Sequence, residues 1–120
     1  METDLLKTGR FSRKERIKRP DEIRNLFKYG TKVSVSGAKL FFAQNGQVTN
    51  RIGFPLSRNY GNAVCRNHSK RLSREAYRFY KLRLNTGYDM LLLIYPGNDS
   101  FNTRCNQIRT LFNKSGLLRG

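Results

Sequence analysis

The sequence predicts an α+β sandwich, a sheet with helices packed against it, with elements in the order α-β-β-β-α-β-α. Three observations carry that expectation. Residues 62–84 repeat apolar and basic side chains at helical spacing. Tyr88 to Tyr95 is a nearly continuous apolar run of strand length, apolar enough to be covered on both faces. Between residues 32 and 57, strand-like segments are punctuated by Gly and Asn. The two patterns mix without strictly alternating.

Residues 1–19 read as a basic arm in which Arg10, Arg13, Lys14, Arg16, Lys18 and Arg19 crowd together with few apolar partners. Residues 20–120 read as a single domain. Pro20-Asp21-Glu22 opens a short helix: proline suits the first turn, and the acids complement the positive end of the helix dipole. Ile23, Leu26 and Phe27 form its apolar face, and Gly30 ends it. Lys32 to Gln44 reads as strand, broken near Ser36-Gly37, and Asn45-Gly46 as a hairpin turn. Arg51 to Ser57 reads as a third strand, and Pro55 argues for an edge position or a bulge. Asn62 is a suitable N-cap for a helix running to about Leu84. After the apolar strand, Pro96-Gly97-Asn98 is a turn. A last helix spans Ser100 to Lys114 and buries Phe101, Ile108, Leu111 and Phe112.

Charge narrows the function. Lys plus Arg total 24 against 8 acids, a formal net charge of +16 over 120 residues. Self-repulsion at that charge opposes folding, so a polyanionic partner is implied. No run approaches the length of a membrane span, and no apolar stretch near the N-terminus resembles a signal peptide. Cys65 and Cys105 lie far apart without metal-ligand spacing, which suits a reducing, cytoplasmic setting.

On a helical wheel starting at Val64, the residues Val64, Leu72, Ala76, Phe79 and Leu82 fall within about 120° and form the expected core side. Arg66, Asn67, Lys70, Arg71, Arg74, Arg78 and Lys81 fall on the opposite side, along about 22 Å of helix. A solvated helix face normally mixes both signs. This one has no acid. Glu75, the helix's one carboxylate, lies on the apolar side and could pair with Arg71 or Arg78. Like-charged neighbours four residues apart repel, and a phosphate backbone relieves that repulsion. Arginine's planar fork suits phosphate and base edges, which favours a shaped RNA over a diffuse anionic surface.

The stretch Gly61-Asn62-Ala63-Val64-Cys65-Arg66-Asn67-His68-Ser69-Lys70-Arg71-Leu72-Ser73-Arg74-Glu75-Ala76-Tyr77-Arg78 resembles the signature of the bacterial ribonuclease P protein family. That signature runs approximately G-N-A-V-x-R-N-R-x-K-R-x-x-R-E-x-x-R. The likeness covers nearly the whole chain. Arg16-Ile17-Lys18-Arg19-Pro20 with Ile23, Phe27-Lys28 and Gly30 resembles the family's first helix. Arg51-Ile52-Gly53 with Ser57-Arg58 resembles the strand before the motif, and Gly87-Tyr88-Asp89 the start of the fourth strand. The departures are His68 in place of the motif's second arginine, Ile23 where many members carry Phe, and Asn59 at a commonly basic position.

The resemblance implies an α/β sandwich with a left-handed βαβ crossover, as in a ribosomal protein domain. It implies a subunit of a ribonucleoprotein endonuclease whose RNA does the chemistry, removing the 5′ leader of precursor tRNA. By position, Asn62, Arg66, Asn67, His68, Lys70, Arg71, Arg74 and Arg78 would contact the catalytic RNA. Phe27, Lys39, Phe41, Ala43 and Arg58 would meet the leader, with Leu40 and Phe42 the alternative strand register and core packing the alternative role for Phe27. The implied partners are ribonuclease P RNA and precursor tRNA, and Mg²⁺ would be held mainly by RNA.

The residues themselves argue against a protein nuclease. Among Glu2, Asp4, Glu15, Asp21, Glu22, Glu75, Asp89 and Asp99, the one adjacent pair already serves a helix start, and His68 is the single histidine. A structural, ribosomal-type RNA-binding protein remains the alternative. A membrane-active protein would need an apolar helix face free for lipid.

Overall fold

The computed structural model describes residues 12–97 and 99–119. The expected arm therefore lies outside the described residues for its first eleven positions. Its remainder packs on the domain instead of standing apart. Arg13–Glu15 make one 3-10 turn closed by Glu15, whose carboxylate accepts from the Ser12 N–H at 2.8 Å. Arg16 bridges Ile52, and Ile17 is only 6% exposed. The buried Ile17 side chain, its N–H bond to the Ile52 carbonyl at 3.3 Å and the ion pair of Glu15 with Lys81 together hold this part of the arm on the domain.

Helix α1 spans Pro20–Tyr29, with Pro20 in its first turn and Leu26 as its buried anchor. The N–H of Gly30 donates to the Leu26 carbonyl at 2.9 Å, and a Cβ on Gly30 would stand 2.6 Å from that oxygen. Strands β1 (Thr31–Val35) and β2 (Ala38–Gln44) form an antiparallel hairpin in which Val35 pairs with Ala38. Its turn is Ser36-Gly37, and Gly37 takes φ +82°, a left-handed conformation that suits a residue without Cβ. Strand β3 (Arg51–Gly53) follows, then helix α2 (Ala63–Tyr80), strand β4 (Tyr88–Ile94) and helix α3 (Phe101–Ser115).

The sheet order is β1-β2-β4-β3, with β3 and β4 parallel and the other pairs antiparallel. β3, α2 and β4 thus form a βαβ crossover between neighbouring strands. The hairpin expected at Asn45-Gly46 is not formed, because β2 pairs with β1 and β4 and β3 lies beyond β4. Asn45 instead organises a loop: its side chain accepts from the Gln47 N–H at 2.8 Å and donates to the Thr49 carbonyl and the Asp89 carboxylate. The third strand is shorter than expected. Pro55 ends it at the sheet edge, although Leu56 still bridges Ile94 in register.

The main core lies between one face of the sheet and α2 and α3, built from Leu40, Phe42, Met90, Leu92, Ile108 and Phe112 among others. A smaller cluster on the other face joins Ile17, Leu26 and Leu91 under α1. Leu91 and Leu92 are buried on opposite faces, which explains the unbroken apolar run of β4. Arg51 binds α1 to this face by pairing with Asp89 at 2.7 Å and Glu22 at 3.2 Å. At the other edge of the sheet, the Lys114 ammonium donates to the Ser34 carbonyl at 2.8 Å and Gln107 donates to the Ser36 carbonyl at 3.0 Å.

The core face of α2 differs from the expected one. Its buried residues are Ser69, Ser73, Ala76 and Tyr77, whereas Val64 is 77% exposed, Phe79 61% and Leu82 46%. The helix is rotated by about 100° from the apolar stripe. The physical reason is Arg104 of α3, which is 1% exposed and donates to the Ser69 carbonyl at 2.9 Å and the Ser73 hydroxyl at 2.6 Å. It also pairs with Asp99, which accepts from the Tyr60 hydroxyl at 2.6 Å. Small serines make room for the guanidinium, and a complete set of partners offsets its desolvation.

Candidate nucleic-acid interface

The N-cap Asn62 accepts from the Cys65 N–H at 2.9 Å, which aims the start of α2. No acid lies in the first turn, so the positive end of the helix dipole is uncompensated there. The rotation of α2 sets where its cations stand. Arg66, Lys70 and Arg74 lie half-buried along one flank of the core face, and Asn67 and Arg71 are exposed beyond them. Arg78, also half-buried, continues this side toward the helix end. Arg66 reaches back to the Ser57 carbonyl at 3.4 Å, which ties the helix to the loop carrying exposed Arg58.

Lys70 and Arg74 face residues of the basic arm. With Arg16 and Lys18 they line a concavity of ≈ 220 Å³ floored by Ile52 and Phe54. Four cations around one hollow form a seat for phosphate. The sequence signal for Arg16 and Lys18 was apolar Ile17 between them, which could only be buried by folding back on the sheet. Lys81, part of the expected cationic face, is engaged otherwise: its ammonium pairs with Glu15 at 2.6 Å. His68 is exposed on the outer side of α2.

The acids are largely spent inside the fold. Asp21, Glu22, Asp89, Glu15 and Asp99 each pair with a lysine or arginine, and among the described carboxylates Glu75 alone makes no ion pair. The expected pairing of Glu75 with Arg71 or Arg78 is therefore not formed. The hydrogen bond to Asp89 holds the Arg51 guanidinium even more firmly charged than usual. Among the described residues, no group of three His, Cys, Asp or Glu converges on a point where a metal ion could be held.

The sheet face away from α2 and α3 forms a second surface. Lys39, Phe41 and Ala43 point to it, while Ala38, Leu40 and Phe42 are buried in the main core. The open choice of strand register thus resolves toward Lys39, Phe41 and Ala43. Phe27 of α1 meets Phe41 edge-on, with ring centroids 4.8 Å apart. It is half-buried and packs on the Ile17–Leu26–Leu91 cluster. Further along, the Lys39 ammonium lies 5.5 Å from the Tyr95 ring centre. Tyr95 was missed as a surface residue because it ends an apolar run that reads as core. An aromatic and cationic track on this face can stack unpaired bases and hold their phosphates.

Comparison with known proteins gives one consistent answer. The family profile described as Ribonuclease P matches residues 11–116. The ribonuclease P protein component of Dictyoglomus turgidum is 28% identical over 113 residues, covering 91% of this chain and 95% of that protein. That of Natranaerobius thermophilus is 38% identical over 77 residues, covering 64% of this chain and 67% of that protein. In three dimensions, the Staphylococcus aureus RNase P protein superposes with a TM-score of 0.79 at 21% identity, over 88% of this chain and 98% of that one.

Proposed function

Because this chain belongs to the ribonuclease P protein family, we propose that it binds ribonuclease P RNA along the basic flank of α2 and the 5′ leader of precursor tRNA in the cleft beside α1. Asn62, Arg66, Asn67, Lys70, Arg71, Arg74 and Arg78 serve the RNA subunit, with His68 at the margin. Phe27, Lys39, Phe41, Ala43 and Arg58 serve the leader. The observation that carries this reading is the cationic hollow of Arg16, Lys18, Lys70 and Arg74, which adjoins the sheet face bearing Phe41 through Gly53 and Ile17. A single strand leaving the hollow can continue into the cleft.

The chemistry is assigned to the RNA. Among the described residues every carboxylate but Glu75 is engaged in an ion pair and no acids converge on one point, so the ion is assigned to RNA phosphates. The protein's part is positioning and charge. It screens repulsion between two RNAs, and it separates precursor from mature product by gripping the leader that the product lacks. No described helix is long and apolar enough to cross a membrane, and the setting proposed is the cytoplasm.

The test is cleavage of a precursor tRNA at low Mg²⁺ with ribonuclease P RNA alone, the protein alone, and both. Cleavage at the mature 5′ end is expected only with both, and Lys70→Ala with Arg74→Ala should remove the gain. Cleavage by the protein alone would place the catalytic groups in this chain. Tight RNA binding with no gain in cleavage would return the reading to a structural RNA-binding protein.

A further inference from the structure

The rotation of α2 turns outward an aromatic pocket that lies apart from the hollow of Lys70 and Arg74. Phe79 is 61% exposed, yet its ring is held in place, meeting Phe101 edge-on with centroids 5.5 Å apart and planes at 61°. The two rings, with Glu75 and Arg78, line a concavity of ≈ 440 Å³. Phe101 begins α3, whose first turn also lacks an acid, so the helix adds its positive end to the rim.

Glu75 is the informative residue. It is the one described carboxylate left without an ion pair, although Arg71 and Arg78 stand one helical turn away on either side. A carboxylate on a phosphate-binding helix repels the backbone, but it can accept from the amino group of a base edge. Aromatic faces, a cationic surround and one acceptor together match the chemistry that reads an unpaired nucleotide. The net charge of +16 opposes a second copy of this chain as the occupant and favours a polyanion.

We propose that this pocket receives one unpaired, amino-bearing base of the partner RNA, stacked on Phe79 against Phe101 with its amino group toward Glu75. The proposal rests on the RNA-binding reading and adds a contact on the outer side of α2, away from the hollow of Lys70 and Arg74. It converts a helix that holds RNA by charge into one that also fixes a single nucleotide in register.

The chain has no tryptophan, so Phe79→Trp creates a unique reporter inside the pocket. Adding ribonuclease P RNA to this variant should quench its fluorescence and shield it from acrylamide. Phe79→Ala and Phe79→Leu should each weaken RNA binding about tenfold, with the salt slope unchanged because no phosphate contact is lost. Glu75→Ala should weaken binding, whereas a carboxylate that merely repels phosphate would give stronger binding when removed. Circular dichroism and thermal unfolding establish that each variant is folded. Should Phe79→Ala fail to fold, the fluorescence of Phe79→Trp and the sign of the Glu75→Ala effect decide alone.

Parent-like affinity in Phe79→Ala and Phe79→Leu, or fluorescence unmoved by RNA, overturns the proposal. So does concentration-dependent self-association that Phe79→Ala abolishes, or a fluorescence change on deleting residues 1–11 without RNA, since either gives the pocket another occupant. Lys70→Ala and Arg74→Ala, measured in parallel, keep the two readings separate. If they leave RNA binding intact, the basic-flank reading fails. If they weaken it while Phe79 variants do not, only the pocket assignment fails.

Discussion

A guanidinium buried among serines is tolerated only while every partner is in place. Arg104 has the backbone of Ser69, the hydroxyl of Ser73 and the carboxylate of Asp99, and it joins α3 to the buried side of α2. Arg104→Ala leaves Asp99 without its cation and opens a cavity beside Ser73. We expect a loss of about 3–5 kcal/mol in urea unfolding, with weaker RNA binding as a consequence of the loosened helix. Two tyrosines of the same region set an alkaline limit. Burial pushes the hydroxyls of Tyr60 and Tyr77 above the ordinary tyrosine range, and for Tyr60 the bond to Asp99 adds to it. The folded state therefore holds these protons more tightly than the unfolded chain. Their contribution is complete below about pH 10, the unfolded value, and falls away as pH rises above it. Urea midpoints measured from pH 8 to 11 should drop only at the alkaline end, and Tyr77→Phe should flatten that drop.

At the level of elements, the exposed side of α2 makes a prediction that the sequence pattern alone would reverse. Val64→Lys should change stability by no more than about 0.5 kcal/mol, because the side chain already faces solvent. Ser73→Val should cost several times more, since it removes a partner of buried Arg104 and adds bulk beside it. Both are read from urea midpoints. The order of strands and helices was legible because proline, glycine and asparagine punctuate it and β4 is apolar throughout. The cationic flank was legible because arginine and lysine recur without acids between them. The face that α2 buries was not, because a hydrophobic wheel assigns serine to solvent and cannot anticipate an arginine from α3 arriving to satisfy it. The Asn45-Gly46 turn misled for a related reason. Asparagine's side chain makes local bonds that shape a loop as readily as a hairpin, and strand pairing is decided by β4, more than forty residues further on. The alternation in β2 left two registers, and packing against α1 sets Phe41 rather than Phe42 on the face that α1 covers.

For the whole molecule, charge dominates association. With about six phosphates neutralised, affinity for the RNA subunit should fall on the order of 10³-fold between 50 and 200 mM salt, measured by filter binding. Each of Lys70→Ala and Arg74→Ala should lower the slope of that dependence by about one. The same sheet that carries the cleft also has two open edges, and the way they are finished bears on a different hazard. An unpaired strand edge is a template for stacking one copy onto the next. At β1 the Lys114 ammonium and the Gln107 amide occupy the carbonyls of Ser34 and Ser36, and exposed Lys32 adds a charge. At β3 the strand is three residues long, Pro55 has no N–H to offer, and Arg16 already bridges Ile52. Both edges are thereby guarded against strand addition, and Lys114→Met with Lys32→Val should convert a clear solution of the free protein into one that scatters light on standing.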